Sequence, residues 1–208
     1  GQFKQYLTHK DAYKIEPIDS IKKAYGLAKN HKPNIPVRPI VSSLNSITSG
    51  AESYLQELIS PITKSCKFSV ESTMEFKKRF LEISGFNSQE YEVVIYDSVS
   101  LYTSINIDLV LEYILDQIYS DPIKFFPPDK KTVTIKKIAT VKTLQPPSRN
   151  TLKSFFKNIL TDYNNFHALT GFYKQINGCS MGSKLSPSFA NIFCSLFETK
   201  IIEPEITS

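Results

Sequence analysis

Cysteine is scarce in this chain, and long apolar runs are missing from it. The three cysteines (Cys66, Cys179 and Cys194) are odd in number and far apart, which argues against a disulfide framework and for a reducing, intracellular setting. The three histidines, His9, His31 and His167, do not pair with cysteines or carboxylates at zinc spacing. No stretch approaches the roughly 18 consecutive apolar residues of a membrane span, so no membrane partner is expected. The N-terminus has neither an apolar signal core nor an initiator Met, and the C-terminus, IIEPEITS, stops after a helical pattern; both ends are expected to be cut.

The remaining composition is that of a globular protein. Of 208 residues, 41% are hydrophobic and 22% charged, enough for one large domain or two lobes sharing a core. The net charge of +5 sits wholly in residues 1–42, with eight Lys/Arg against three Asp/Glu, while the rest balances at 17 against 17. Within that balance, residues 124–153 hold eight basic side chains and one acid, Asp129. Two basic blocks point to a polyanion partner; the plainer alternative is solvated, lysine-rich loops.

Apolar residues at 107, 110, 111, 114, 115 and 118 follow one helical face, and 152, 155, 156, 159, 160 and 163 repeat the pattern. A third helix carries Phe189, Ile192, Phe193, Leu196 and Phe197 after Ser186-Pro187, read as an N-cap followed by proline. A shorter one carries Ala51, Tyr54, Leu55, Leu58 and Ile59. Strands are expected at 92–96 (EVVIY), 37–42 and 172–176. Residues 120–148, with five prolines, read as an insertion with a short β segment at 132–138. The mixture gives an α+β fold.

Three strings carry possible chemistry. In residues 93–102 (VVIYDSVSLY) an apolar run leads straight into Asp97. A carboxylate held at a strand exit suits a hard, oxygen-seeking cation such as Mg2+, although such an aspartate is more often a helix cap or turn residue. Residues 26–42 (GLAKNHKPNIPVRPIVS) suggest a hairpin on which Lys32 and Arg38 converge. Two cations facing a pocket suit a triphosphate; the plain reading is a hairpin with solvated charges. In residues 171–192 (GFYKQINGCSMGSKLSPSFANI), Gly178 and Gly182 permit close approach of backbone to a ligand just before a helix.

In kind and order these strings resemble the reverse transcriptases of Penelope-like retroelements, over roughly residues 24–198. Residues 26–42 look like the fingers hairpin, YDSVSLYTSI like the first catalytic motif, and the glycine loop with its Ser-Pro-x-x-Ala-Asn signature like the loop and helix that follow. The resemblance implies a right-hand polymerase fold, with residues 91–119 and 166–208 mainly palm and 1–90 and 120–165 mainly fingers. It implies that Asp97 is catalytic and holds Mg2+, with the Ser98 carbonyl as a second ligand. Tyr102 would crowd the sugar 2′ position of the dNTP. Lys32 and Arg38, with Lys29 a weaker candidate, would meet its triphosphate; Met181 and Gly182 would lie beside the template–nucleotide pair, and Gln175 and Gly178 are similar to positions of the family's nucleotide-binding loop.

The partners would be an RNA template and a DNA primer, in an intracellular, nuclear setting. Lys130, Lys131, Lys136 and Lys137 of the basic insertion, which has no counterpart in the family, are expected on nucleic acid. Two departures stand out: Ser98 replaces a usual hydrophobic residue, and no Asp-Asp pair occurs anywhere in the chain. The expectation is therefore a fragment, truncated before the Asp-Asp hairpin and thumb and inactive alone. Two alternatives are a catalytically dead nucleic-acid-binding remnant and an RNA-templated RNA polymerase palm.

Overall fold

The computed structural model describes residues 15, 20–83, 94–127, 146–202 and 204. Its fold is α+β: a helical core with a mixed sheet of four strands beside it.

The sheet begins with β1 (Lys22–Ala28) and β2 (Val37–Ser42), an antiparallel hairpin in register Ala24 to Val41 and Leu27 to Arg38. At its tip Asn34 and Ile35 both have positive φ (61° and 42°), an uncommon state for a β-branched residue. The Lys29 amide closes the loop on the Pro36 carbonyl at 3.0 Å. Two later strands, β3 (Asn165–Ala168) and β4 (Gly171–Lys174), pair antiparallel, and β3 joins β1 in parallel, giving the order β2-β1-β3-β4. Pro39 is tolerated because β2 is an edge strand. The Val41 amide points away from β1, and Pro39, two residues earlier, faces the same way, so no ladder bond is sacrificed.

The core is made by helices α1 (Ser49–Lys64), α4 (Ile107–Ser120), α6 (Arg149–Lys157) and α7 (Ser186–Phe197). Shorter helices are α2 (Thr73–Leu81), α3 (Leu101–Ser104) and α5 (Pro122–Phe125). Helix α6 runs on through a π-helical turn, Asn158–Asp162, and α7 through another, Glu198–Ile202. The apolar stripe of α4 is fully withdrawn from water at Val110, Leu111, Ile114, Leu115 and Ile118. It packs with Leu55 and Ile59 of α1, Leu152 and Phe156 of α6, and Phe189 and Ile192 of α7; the Phe156 and Phe189 rings lie 6.3 Å apart. Each such side chain contributes roughly 1.5–3 kcal/mol on burial. Asn106 and Ser148 cap α4 and α6 by accepting from the Leu109 and Thr151 amides.

Three sequence expectations need correction. Residues 94–96 form no strand: they pair with none of the four strands and are 58%, 88% and 87% exposed, because an apolar run without a partner edge gains no ladder. Ser186 is not the cap of α7 but its first residue, and its hydroxyl donates instead to the Ser180 carbonyl at 2.6 Å. Tyr163 and Phe197, assigned to buried stripes, are about half exposed. The β segment expected at 132–138 lies outside the described residues. Among the described residues no helix is long and apolar enough to cross a membrane.

Candidate functional site

The glycine loop after β4 touches both other strings. At Gly178 φ is +62°, and the next amide, of Cys179, donates to the Tyr102 carbonyl at 2.8 Å. A Cβ on Gly178 would sit 2.6 Å from the Thr103 Cα and closer still to the Tyr102 carbonyl oxygen, so only glycine permits this approach. The loop then follows the outer edge of β2. The Val41 amide donates to the Met181 carbonyl at 2.7 Å, and the Ser43 amide and hydroxyl both reach the Gly182 carbonyl at 3.3 Å. Gly182 has φ +116°, and a Cβ there would stand 2.6 Å from the Val41 carbonyl oxygen. One loop thus joins the chain just after Asp97 to the hairpin that carries Arg38.

Beneath the loop lies a buried polar cluster. Lys22 Nζ is 3.0 Å from Glu52 Oε1, with the side chains 2% and 0% exposed, and it also donates to Asn164 Oδ1 at 3.2 Å. Thr48 Oγ1 donates to Glu52 Oε1 at 2.7 Å; Ser183 Oγ and the Lys184 amide reach Oε2 at 2.8 and 3.0 Å. The Ser180 hydroxyl lies 2.8 Å from Asn164 Oδ1 and 2.7 Å from Gln175 Oε1. Burial pushes the Glu52 carboxyl up, but the Lys22 charge and the hydrogen bonds that the carboxylate accepts, from Thr48 and Lys22 among others, outweigh it, leaving the group below its ordinary value and ionised at neutral pH. Burial pushes the neighbouring Cys179 thiol up to about 12, which makes it an inert filler rather than a nucleophile.

The residues singled out from sequence divide into groups. Met181, Gly182, Gln175 and Gly178 lie in the loop just described, and Tyr102 is half-buried against the core beside it. Lys32 and Arg38 are exposed on the hairpin, Lys32 in the tip loop and Arg38 on β2. Asp97 and Ser98 are exposed and lie in no helix or strand, ahead of Ser100, which has φ +54° and whose carbonyl accepts from the Thr103 and Ser104 amides. Lys130, Lys131, Lys136 and Lys137 lie outside the described residues.

Mg2+ favours near-octahedral oxygen coordination and usually keeps one or two protein carboxylates. Asp97 and the Ser98 carbonyl supply two donors, whereas a two-ion site needs a further carboxylate set facing them.

Sequence reasoning missed Lys22, Glu52, Asn164, Ser180 and Ser183. One signal was present: Glu52 falls on the apolar stripe of α1, three residues before Leu55 and seven before Ile59, where a lone charge is costly unless paired.

The sheet itself has a charged side. Alternation along paired strands puts Lys23, Tyr25, Arg38, His167, Phe172 and Lys174 on one exposed face, opposite buried Lys22 and Val41. The four strands contain no Asp or Glu. The other basic block is partly spent internally. Arg149 pairs with Glu112 at 2.7 Å and Asp116 at 2.8 Å, and Lys153 pairs with Glu112.

No family model matches the chain, and no curated protein or solved structure matches it either.

Proposed function

We propose that the chain is the fingers and part of the palm of an RNA-directed DNA polymerase, which extends a primer 3′-hydroxyl with dNTPs on an RNA template. The observation that carries the reading is the course of the glycine loop. The loop hydrogen-bonds Tyr102 on one side and Val41 of the hairpin on the other, so the strings that resemble three successive polymerase motifs meet around it. Chance resemblance in three separate strings carries no reason for them to adjoin. In this reading Arg38 and Lys32 meet the triphosphate, Tyr102 faces the sugar, and Met181-Gly182 lie beside the template base. Catalysis needs at least one further carboxylate set facing Asp97, since two-metal transfer places ions about 3.5–4 Å apart.

The test is primer extension by a longer protein that continues this chain through a carboxylate hairpin and thumb. RNA-templated extension should appear there, be absent from the 208-residue chain, and be abolished by Asp97→Ala. Arg38→Ala should lower efficiency with dNTP roughly tenfold to a hundredfold, the worth of a charge-assisted contact of about 1.5–3 kcal/mol, at unchanged primer–template affinity. Extension that survives Asp97→Ala would overturn the assignment.

A second reading, a nucleic-acid-binding module without catalysis, is favoured by the acid-free sheet face, where cations alternate with aromatic rings as they do on single-strand-binding surfaces. Salt-sensitive RNA binding by a longer protein that never extends a primer would select it. Tyr102 weighs against an RNA polymerase, which needs room or a polar contact at the 2′ position.

A further inference from the structure

Glu52 gathers four donors from three parts of the chain. Lys22 of β1 and Thr48, just ahead of α1, share Oε1, while the Ser183 hydroxyl and the Lys184 amide of the glycine loop share Oε2. An ionised carboxylate has about four acceptor sites, so this one is saturated. Lys184 adds a second tie from the loop to α1, its Nζ reaching Ser53 Oγ at 2.6 Å. The same loop segment presents the Met181 and Gly182 carbonyls to the β2 edge. A buried ion pair is weak as a source of net stability, since desolvation offsets the attraction, but it fixes geometry closely.

We propose that Glu52 is a positioning residue: its carboxylate, held from below by Lys22 and Thr48, fixes residues 180–184 and so sets where Met181 and Gly182 stand against β2. Its effect on nucleotide use rests on the polymerase reading; its effect on the loop does not.

Glutamine at this position separates the two roles. A glutamine has one oxygen, which stays with the Lys22 cation because that interaction is the strongest. Its NH2 group then faces the Lys184 N–H, donor against donor, and the Ser183 hydroxyl must turn to accept from it. The loop loses its charged acceptor, while Lys22 keeps a neutral oxygen in place of its counter-charge. In the 208-residue chain, amide hydrogen exchange should therefore rise in Glu52→Gln at Val41 and Ser43, whose amides donate to the loop, and at Cys179 and Lys184, whose amides donate from it. The expected rise is at least roughly tenfold and insensitive to low denaturant, as befits a local opening, whereas Leu111, Ile114 and Leu115 of the core helix should follow the global stability, which falls because Lys22 loses its counter-charge.

Ser183→Ala removes one loop donor while keeping both buried charges, and should give a smaller rise at the same four amides. It carries the test if Glu52→Gln fails to fold. Loop exchange that shares the denaturant dependence of the core, or no acceleration at the loop, would overturn the proposal. In an active longer enzyme, Ser183→Ala should raise KM for dNTP more than it lowers kcat. A loosened loop with unchanged KM would leave the positioning role standing and remove the nucleotide-site reading.

Discussion

The Cys179 amide donates to the Tyr102 carbonyl at 2.8 Å, and Gly178 beside it leaves no room for a side chain over Tyr102 and Thr103. Here the segment that begins with Asp97 meets the glycine loop. The integrity of this junction decides whether the two strings can act together.

Gly178→Ala should therefore be costly. It combines a positive φ, worth about 1–2 kcal/mol for any residue with a Cβ, with a steric clash against backbone atoms. Gly171 provides the control: its φ is +153°, yet a Cβ there meets nothing within 4 Å. Urea unfolding should show a larger fall in midpoint for Gly178→Ala than for Gly171→Ala, at unchanged slope. Equal falls would mean that the chain tolerates separation of the loop from Tyr102.

Acid should act through Glu52. Its folded pKa lies below the ordinary carboxylate value, so the unfolded chain binds more protons between the two values. The corresponding stability is fully present above the unfolded value, near 4.5, and is lost as pH falls through the folded one. Glu52→Gln should remove this part of the acid limb. At neutral pH it should cost on the order of 3–5 kcal/mol, because Lys22 loses its buried counter-charge. Unfolding free energies from pH 7 down to about pH 3 would reveal it, as the wild-type and variant curves converge with acid. Curves that stay parallel would assign the acid sensitivity to other paired carboxylates, such as the partly buried Glu112, instead.

Helix periodicity was the most legible feature in the sequence. The spacing of Val110, Leu111, Ile114, Leu115 and Ile118 places a stripe that the fold buries completely. The apolar run ending at Tyr96 looked equally clear and misled, since a strand is defined by a partner that local sequence does not name. Helix α2 escaped for the opposite reason: Met74, Phe76 and Leu81 stay exposed and trace no buried face. Its start was nevertheless written in Ser72 and Glu75: the Ser72 hydroxyl accepts from the Glu75 amide, and the Glu75 carboxylate reaches back to the Glu71 amide. The site followed the same division. Gly178 and Gly182 were visible because glycine marks close approach, whereas Lys22 and Glu52 meet only through tertiary structure.

The half-buried ring of Tyr102 makes its test a comparison of two variants. If the ring crowds a 2′-hydroxyl in an active longer enzyme, Tyr102→Val should raise use of rNTP relative to dNTP at least about tenfold, equivalent to about 1.4 kcal/mol of discrimination. Tyr102→Phe keeps the ring and should keep the ratio. Steady-state incorporation of both nucleotide classes measures it. An unchanged ratio in Tyr102→Val would leave Tyr102 as a packing residue at the rim of the core.

The basic block at 124–153 divides into two kinds of cation, and salt should tell them apart. Arg149 and Lys153 are engaged by Glu112 and Asp116 on α4, so they have little charge to offer a phosphate. The acid-poor stretch between them and α5 contains Lys130, Lys131, Lys136 and Lys137, with Asp129 as its one acid. If those four lysines follow a nucleic-acid backbone, neutralising them should weaken binding to all sequences alike. It should also flatten the log–log salt dependence by about 0.7–0.9 for each phosphate that is no longer neutralised, because fewer condensed counterions are released. Lys153→Gln should leave that slope where it is, while loosening the junction of α4 and α6. Affinity for an RNA–DNA duplex at several salt concentrations, measured for wild type, the quadruple variant and Lys153→Gln, separates the two sets. Coincident slopes for wild type and the quadruple variant would make the stretch solvated surface and move the binding path to the face that carries Lys23, Arg38 and Lys174.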